Sequence, residues 1–555
     1  MPVERSRANT GRPTLLTQGG EGSQVTEGAP PGFVIKEGGL GSAPQKLALA
    51  TLCGVLFLTF LDNTVVSVGL ANVQSDLHAG VTSLQWVVNG YALTFASFML
   101  AAGMLGDILG RKRVMLAGVA IFCGGSVVAA LAGNVDWLIA GRVIMGVGAA
   151  ASEPGTLSII RHVYPDRKTR ADALGVWAAV SGLALALGPV IGGVLVGFSS
   201  WRAIFWFNLG FGVVAFVLAA VTVPETSDRQ GRRIDVLGFL FGAAFLGCMS
   251  FGVIQGEESG YTATWIVALF VLCAVSGIAF VVTERRVKSP MLDLSMFRRP
   301  PFAGSNFVAF VAYFGTFSIF FFTALYLQVV ANASAYQTAL DFLPMAAGLI
   351  VASALTGPLV ARYGPRWPMV LGCLLAGGGI LVANAVLSPT VDFGTLGWVL
   401  PVAGIGIGVL LVPVTSVPLT VVPPERSGMA ASATNTSREM GAVFGVAILG
   451  SIVNAKLTGD LAARLKAIGI PPSFQSLVEH AIQTGGASSG GAASSAEHSK
   501  NEAVARIATK VVNAAYDAFG SGLHEALALS GGLILVGAVV AALTIHRVPG
   551  ETFEV

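Results

Sequence analysis

The chain has 555 residues, of which 54% are hydrophobic and only 11% are charged, with a formal net charge of +3. Soluble domains carry about 25% charged residues. The composition therefore excludes a soluble globular protein and indicates an integral membrane protein. Five cysteines lie in apolar segments without metal-ligand spacing, so we interpret them as buried hydrophobic side chains; they are Cys53, Cys123, Cys248, Cys273 and Cys373.

Residues 1–45 are polar, rich in Gly, Pro, Ser and Thr, and lack the layout of a cleaved signal peptide. We expect a disordered cytoplasmic tail there. Beyond it lie fourteen apolar runs of about the 20 residues that a spanning helix needs, so the sequence predicts an all-α membrane protein with 14 transmembrane helices. The runs are 47–72, 84–106, 114–132, 137–160, 174–198, 203–223, 236–254, 265–282, 303–330, 340–360, 368–387, 396–422, 429–452 and 523–545.

Lys and Arg alternate between loops. They cluster in every second connection, whereas the intervening short loops are nearly free of them apart from Arg202. Cytoplasmic loops hold the excess of positive charge, so the pattern predicts an even number of spans with both termini in the cytoplasm. The basic clusters lie within residues 111–113, 161–170, 229–233, 285–299, 362–366 and at Arg426.

An internal repeat follows the second and the tenth spans. The string that begins at Gly103 has a counterpart that begins at Gly357, and matching residues are 254 positions apart, because 357 − 103 = 254. Both copies follow the second helix of a six-helix block. This predicts a parallel repeat of two six-helix bundles, residues 46–223 and 303–555, with two inserted linker helices in residues 224–302.

The connection between the last two spans, residues 454–522, is unusually long and is placed on the outer side by the charge pattern. Its middle, residues 485–495, is a low-complexity run of Gly, Ala and Ser. Its flanks, residues 456–468 and 501–519, have the periodicity of amphipathic helices. We expect these helices to lie on the membrane surface or to cover the outer mouth of the protein.

Asp62 lies inside the first apolar run. A charge near the centre of a bilayer costs at least about 2.5 kcal/mol, and such residues commonly carry protons, ions or cationic substrates. Asp62 is therefore the first candidate for proton coupling. The alternative is a buried polar residue held by neighbours such as Asn63 or Thr64.

Arg142 and Glu153 both lie in the fourth span, 11 residues apart and within about 20° of the same helix face. Arg142 falls at a similar depth to Asp62, so the two side chains can pair. The alternatives are that Arg142 extends to the outer interface and that Glu153 is a helix-end carboxylate beside Pro154. We include both residues among the candidates for proton coupling.

Three further charges lie within or at the edge of later spans. Asp341, at the start of the tenth span, is a fourth coupling candidate, and its alternative role is a solvated carboxylate at the positive end of a helix. Arg438 and Glu439 lie within the thirteenth span. They either line a central cavity or pair across helices.

Several strings resemble motifs of one family, the fourteen-helix drug:proton antiporters of the major facilitator superfamily. The resemblance extends from about Phe60 to Arg438. The strings are Leu61-Asp62-Asn63-Thr64-Val65-Val66, Gly103 to Arg113, Arg142 with Gly146, Gly182 to Gly193, and Trp201 to Asn208.

The resemblance implies roles for two groups of residues. The antiporter motif would restrict proton leak and let the bundles rock; it comprises Gly188, Pro189, Gly192 and Gly193. A conformational latch would bias outward-facing against inward-facing states; it comprises Gly103, Asp107, Gly110 and Arg111. The alternatives are small-residue packing for the first group and charge that only fixes topology for the second.

We expect the substrate to bind near the midplane between the bundles. The candidate cavity residues are Asn63, Trp86, Tyr91, Phe314, Arg438 and Glu439.

No Walker A string is present, so elimination and resemblance together point to the proton gradient as the energy source. A G-x-S-x-G match at residues 486–490 lies in the low-complexity loop and does not indicate catalysis. We therefore expect no enzyme activity, cofactor, metal or nucleotide.

The sequence thus predicts a proton-coupled exporter of amphipathic or cationic drugs that works by alternating access. We expect a monomer in the inner membrane whose partners are small substrates, protons and lipid, and no nucleic acid. One alternative is export of an endogenous lipid, a siderophore or a self-made antibiotic by the same coupling. A third, of another class, is a membrane scaffold or sensor that transports nothing. The sequence does not determine the cargo or the proton stoichiometry.

Overall fold

The structure is a computed structural model that describes residues 41–226, 235–287, 290–331, 333–387, 393–422, 427–467 and 502–545. Within these ranges the regular structure is helical, with fifteen α-helices, two 3₁₀ turns and no strand. The predicted tail, up to residue 40, lies outside the described residues.

The first bundle contains six spans, the first of which is broken by a 3₁₀ turn at Val66–Gly69 into α1 and α2. Ser67 donates its hydroxyl proton to the Thr64 carbonyl at 2.6 Å inside this break. The helices are α1 (Ala43–Val65), α2 (Leu70–Leu77), α3 (Val81–Leu109), α4 (Arg111–Ala130), α5 (Val135–Val163), α6 (Arg167–Phe198) and α7 (Arg202–Thr222).

Two inserted helices and a second bundle of six spans follow. A 3₁₀ turn at Leu294–Arg298 joins the inserted pair to the second bundle. The inserted helices are α8 (Val236–Ser259) and α9 (Thr264–Arg286); the second bundle contains α10 (Pro300–Val329), α11 (Ala335–Tyr363), α12 (Arg366–Val386), α13 (Phe393–Val421), α14 (Ser427–Ala467) and α15 (Glu502–Thr544).

The predicted fold class is confirmed. Each of the fourteen apolar runs matches helical structure to within two residues, and the first run extends across α1, the 3₁₀ turn and α2. Thirteen segments of the described chain are long and apolar enough to cross a membrane, and the remaining predicted run, 84–106, lies within the 29-residue helix α3.

The repeat is visible in the backbone. Gly110 ends α3 with φ of 112° and Gly364 ends α11 with φ of 75°. These left-handed corners are 364 − 110 = 254 residues apart, and glycine adopts them without the strain that a Cβ would introduce. Within each bundle the second span packs on the fourth, as α3 on α5 and α11 on α13. The bundles meet along two seams, α3 with α14 and α6 with α11.

The inserted pair lies beside the α3–α14 seam. Helix α8 packs on both α3 and α14, while α9 packs mainly on α8. Trp86 of α3 contacts Phe251 of α8 with ring centroids 5.1 Å apart. The Tyr261 hydroxyl, in the α8–α9 turn, hydrogen-bonds to the Ser451 hydroxyl of α14. The inserted pair therefore contacts both bundles.

The flanks of the long loop differ from the expectation of surface helices. Helices α14 and α15 have 41 and 43 residues, which corresponds to about 62 and 65 Å, against a hydrocarbon core of about 30 Å. Their far ends pair, since Arg464 forms an ion pair with Asp517 and the Ser521 hydroxyl donates to Asp460 Oδ2 at 2.9 Å. The flanks thus continue the last two spans as a helical hairpin. Residues 468–501, including the low-complexity run, lie outside the described residues.

Candidate functional site

Asp62 lies in the core of the first bundle and is fully buried. Arg142 of α5 forms an ion pair with its Oδ2. Asn208 of α7 donates from Nδ2 to its Oδ1 at 2.6 Å. Both oxygens of the carboxylate therefore have partners, from two different helices.

Arg142 is held on three sides. Besides Asp62, it donates from Nε to the Val87 carbonyl of α3 at 2.9 Å. Its guanidinium lies over the Tyr91 ring, 4.5 Å from the centroid, and the Tyr91 hydroxyl donates to the Thr59 carbonyl at 2.9 Å. We call this network of Asp62, Arg142, Asn208 and Tyr91 the paired site. Its ion pair is desolvated and hydrogen-bonded, which is what a buried ion pair requires.

Helix α6 packs tightly on α1 beside the paired site. Pro189 has no N–H, so the carbonyl of Leu185, four residues earlier, has no donor within its own helix. The Thr64 hydroxyl of α1 supplies that donor at 3.0 Å. A Cβ at Gly188 would overlap the Thr64 hydroxyl, and one at Gly192 would overlap the Val65 carbonyl. These glycines are required for the close approach of the two helices.

Gly193 serves a different contact. A Cβ there would overlap that of Ala339 in α11 and would lie 2.6 Å from the Ala335 carbonyl. The glycines of the antiporter motif therefore divide between two surfaces. Gly188 and Gly192 face α1 of the first bundle, and Gly193 faces the seam between the bundles.

A second buried polar cluster lies between the bundles. Glu153 of α5 accepts from Asn435 Nδ2 of α14 at 2.9 Å, and Arg438 donates to Asn435 Oδ1 at 3.1 Å. Glu439 follows on the same helix. All four side chains are at least nine-tenths buried. We call this cluster of Glu153, Asn435, Arg438 and Glu439 the interface site.

The interface site is incompletely satisfied. Glu153 Oε2, Glu439 Oε2 and Arg438 Nε have no hydrogen-bond partner. Arg438 lies over the Tyr313 ring of α10 at 4.7 Å and near the Phe60 ring of α1 at 5.8 Å. Within the described chain no Lys or Arg nitrogen lies within 4.0 Å of either carboxylate. The positive charge of one guanidinium therefore only partly offsets the negative charges of two carboxylates.

Helix α1 connects the two sites, because Phe60, whose ring lies near Arg438, is two residues before Asp62. Asn63 follows Asp62 and has a buried Nδ2 without a hydrogen-bond partner. The two acidic sites are therefore adjacent, and one belongs to a single bundle while the other requires both.

The remaining candidate residues are distributed elsewhere. Phe314 is buried between α10 and α14, where Gly445 contacts its backbone. Trp86 contacts the inserted helix α8, as described above. Asp341 is half-buried in α11, and no hydrogen bond or ion pair joins it to either site within the described residues. The structure thus brings together Asp62 with Arg142 and Glu153 with Arg438 and Glu439, but it does not bring Asp341 to them.

The fold and these sites can be compared with those of known proteins. The sequence profile of the Major Facilitator Superfamily matches residues 52–446. The chain belongs to the Major Facilitator Superfamily. Among its relatives is the Multidrug resistance protein Stp of Mycobacterium tuberculosis, which is 34% identical over 424 residues, covering 76% of this chain and 78% of the relative.

Two further relatives in the superfamily are named for single antibiotics. The Tetracenomycin C resistance and export protein of Streptomyces glaucescens is 29% identical over 520 residues, 92% of this chain and 94% of the relative. The Methylenomycin A resistance protein of Bacillus subtilis is 33% identical over 409 residues, 73% of this chain and 86% of the relative.

Solved structures show the same superfamily fold at low sequence identity. A bacterial homologue of the human lysosomal transporter Spinster, in an inward-facing and unoccupied conformation, aligns with a TM-score of 0.63 at 19% identity, covering 91% of this chain and 97% of that one. The human organic anion transporter MFSD10 aligns with a TM-score of 0.58 at 14% identity, covering 90% and 100%.

The latch expected from the superfamily motif lies at the α3–α4 corner. Gly103 faces the other bundle, since a Cβ there would lie 3.6 Å from the Ser432 hydroxyl of α14. Gly110 forms the corner, and the Arg111 amide donates to the Thr226 carbonyl at 2.8 Å. Asp107 belongs to the last turn of α3, but its side chain lies outside the described residues. The described corner also contacts Glu225, which accepts from the Lys112 amide at 3.2 Å.

Two residues of these sites were missed by the sequence reasoning: Asn208 and Asn435. Asn208 ends one of the superfamily motifs, and Asn435 lies one turn before Arg438 and Glu439. An amide inside an apolar run was the available signal, because a buried polar group needs a partner. Asn63 was the one amide chosen as a candidate, and the two amides that bond directly to Asp62 and Glu153 were not.

Proposed function

We propose that this protein is a proton-coupled exporter of amphipathic, cationic drugs. The observation that carries the proposal is the interface site, where two buried carboxyl groups and one guanidinium lie between two bundles. With both carboxyl groups ionised the site has a net charge of −1. Burial of an uncompensated charge is costly, so the site is neutral only when it holds a proton or a bound cation.

This requirement links the two ligands. A proton on Glu153 or Glu439 and a cationic substrate beside them neutralise the same charge, so each favours release of the other. Aromatic rings of Phe60 and Tyr313 surround Arg438 and offer apolar contact area to an amphipathic substrate. Proton entry from outside would then drive substrate release to the outside.

Alternating access would come from movement at the two seams. Helices α3 and α14 approach each other near both ends of their seam, because a Cβ at Gly103 would lie 3.6 Å from the Ser432 hydroxyl and one at Gly450 would overlap the Gln85 amide. Glu153 and Asn435 belong to different bundles, so their hydrogen bond changes when the bundles rock. We place the loops rich in Lys and Arg on the cytoplasmic side of the inner membrane, with both termini there. Each chain supplies both bundles, so a monomer surrounded by lipid contains a complete site.

Asp62 would act as a second proton acceptor. Its ion pair with Arg142 is satisfied, so protonation of Asp62 would release Arg142 and alter the packing of α1 on α5. Arg438 of the interface site lies near the ring of Phe60, which belongs to the same helix α1 as Asp62. A shift of α1 at the paired site would therefore reach the interface site.

The relatives named for multidrug resistance and for antibiotic resistance support export as the direction of transport. A second candidate cargo is an antibiotic that the producing cell makes. It is favoured by the relative named for tetracenomycin C resistance and export, which matches 92% of this chain. Growth under drug challenge, compared with retention of the metabolite in a deletion strain, separates the two cargoes.

The proposal is tested by efflux of a fluorescent lipophilic cation from proteoliposomes with an imposed pH gradient. We expect gradient-dependent efflux by the wild-type protein and its loss in Glu439→Gln, which removes the uncompensated charge. Glu284→Gln is the matched control. Glu284 is also a buried glutamate, but it lies at the end of α9, away from the interface site, and accepts a hydrogen bond from the Leu292 amide. It should transport normally.

Two outcomes would contradict the proposal. Efflux that ignores the pH gradient would remove the proton from the mechanism. Equal efflux by wild type and Glu439→Gln would remove the interface site from it.

A further inference from the structure

Asn208 is the member of the paired site to which the proposed function gives no role. It is fully buried, and its Nδ2 donates to Asp62 Oδ1 at 2.6 Å. Its Oδ1 has no hydrogen-bond partner. A buried amide therefore uses its donor on Asp62 and keeps an unused acceptor beside the same carboxyl group.

The two partners of Asp62 differ in chemistry. A guanidinium only donates hydrogen bonds, whereas a side-chain amide both donates and accepts. An ionised Asp62 needs donors, and both partners supply them. A protonated Asp62 needs an acceptor for its new O–H, and Arg142 has none. Rotation of the Asn208 amide would present its unused Oδ1.

We propose that Asn208 is a positioning residue that keeps Asp62 hydrogen-bonded in both protonation states, donating from Nδ2 to the carboxylate and accepting at Oδ1 from the carboxylic acid. The inference rests on the proposed proton coupling, which gives Asp62 two states. Arg142 is then the partner that separates on protonation, and it retains the Val87 carbonyl and the Tyr91 ring.

Asn208 is not needed to hold α7 in place, because other side chains join both ends of this helix to the first span. At one end of the helix, Trp201 and Arg202 both donate to Asp76, at 3.0 and 2.6 Å. At the other end, the Thr51 and Thr222 hydroxyls hydrogen-bond at 3.0 Å. Helix α7 is therefore fastened to the first span at both ends without Asn208.

The expected consequence is a change in proton affinity. The charged group that faces Asp62 is Arg142 from α5, and the titratable Tyr91 from α3 stacks on that guanidinium. Helix α6 faces α1 with glycines. Loss of the Asn208 donor weakens the ionised form of Asp62, because a hydrogen bond to a charged acceptor is stronger than one between neutral groups. The pH at which Asp62 is half-protonated should therefore rise when Asn208 is replaced.

The experiment compares Asn208→Leu, which has a similar shape but no hydrogen bond, with Asn208→Thr, whose hydroxyl donates and accepts. Asn306→Leu is the matched control, since Asn306 is a buried amide of α10 that bonds to the Phe302 carbonyl and to Ser437. We expect the half-maximal pH of gradient-driven efflux to rise by about one unit in Asn208→Leu. It should return towards wild type in Asn208→Thr and stay unchanged in Asn306→Leu.

A second readout separates this inference from the proposed function. Infrared spectroscopy of the reconstituted protein detects the carboxylic-acid band of Asp62, identified by its loss in Asp62→Asn. A rise of its titration midpoint in Asn208→Leu supports the inference. Coincident midpoints, or no titration of Asp62, overturn it. Absence of gradient-driven efflux in wild type overturns the proposed function whatever the infrared result.

Discussion

The paired site and the interface site contain the same kinds of side chain in opposite arrangements. In the paired site one carboxylate faces one guanidinium and one amide, all within the first bundle, and both carboxylate oxygens are bonded. In the interface site two carboxyl groups face one guanidinium across two bundles, and each keeps an unbonded oxygen. A satisfied ion pair stabilises one arrangement of helices. A buried charge without a close partner, as in the interface site, needs a ligand to neutralise it.

The difference follows from where each site lies. Helices within one bundle keep their neighbours, so a charge there can be paired permanently. Helices on opposite sides of a seam separate when the bundles move, and a permanent ion pair would oppose that movement. The comparison predicts that the same chemical change, a carboxylate to an amide, strongly destabilises the protein at the paired site and does not do so at the interface site.

The largest effect is expected at the paired site. Asp62→Asn leaves Arg142 buried without its counter-ion, and breaking a buried pair in this way costs about 3–5 kcal/mol. Thermal denaturation in detergent should show a strongly lowered melting temperature. The double variant Asp62→Asn with Arg142→Met should recover most of it, because both charges are gone. Equal melting temperatures for the single and double variants would contradict the pairing.

The antiporter motif gives the next effect. In Gly192→Ala the new methyl overlaps the Val65 carbonyl inside one bundle, and such overpacking costs about 1–3 kcal/mol. In Gly193→Ala the methyl overlaps Ala339 across the seam, and the bundles can relieve it by separating. We expect a lower melting temperature in the first variant. In the second we expect a small change in melting temperature with faster thiol labelling of Ala335→Cys.

The control for this pair is Gly197→Ala, whose methyl would lie 3.3 Å from the Tyr336 Cβ. It should change neither quantity much. Equal labelling in Gly193→Ala and Gly197→Ala would argue against the assignment of Gly193 to the seam.

Substitution of Glu439 in the interface site should not lower the stability of the protein as substitution of Asp62 does. Glu439→Gln removes a charge that has no close counter-ion, so stability should stay within about 1 kcal/mol of wild type or rise. The measurement is the same thermal denaturation, compared directly with Asp62→Asn. A fall as large as that of Asp62→Asn would mean that Glu439 is as fully paired as Asp62, and would remove the contrast between the sites.

The smallest effect is expected where the same charges meet at the surface. Arg464 and Asp517 form an ion pair at 3.0 Å in the helical hairpin, with 41% and 59% of their side chains exposed. Exposed pairs contribute about 0–1 kcal/mol, and salt screens them. Arg464→Ala should shift the melting temperature slightly at low salt and not at high salt. A shift that persists at high salt would indicate a packing contribution from the Arg464 side chain.

Much of the fold could be read from the sequence, because a bilayer imposes strict demands on each segment. The fourteen apolar runs became helices, and the repeat of the strings that begin at Gly103 and Gly357 reappeared as two left-handed corners, at Gly110 and Gly364. The flanks of the long loop were predicted as helices, but their direction was not. Periodicity reports which face of a helix is apolar, and it does not report whether the helix continues from the span before it.

The site was most predictable where charge marked it. A carboxylate or guanidinium in an apolar run is conspicuous by its cost, so Asp62, Arg142, Glu153, Arg438 and Glu439 were found from the sequence. Asn208 and Asn435 carry no charge, and their importance comes from what they touch. Asp341 was also conspicuous in sequence, yet the structure joins it to neither site within the described residues.

The sequence alone thus determined that the chain crosses the membrane many times, that two bundles repeat, and which charges are buried. The tertiary structure decided how those charges are shared. Asp62 received a guanidinium and an amide from two helices of its own bundle, and Glu153 and Glu439 were left with one guanidinium between them. The physical reason is that burial is encoded by composition along one helix, whereas compensation depends on side chains that distant helices bring together.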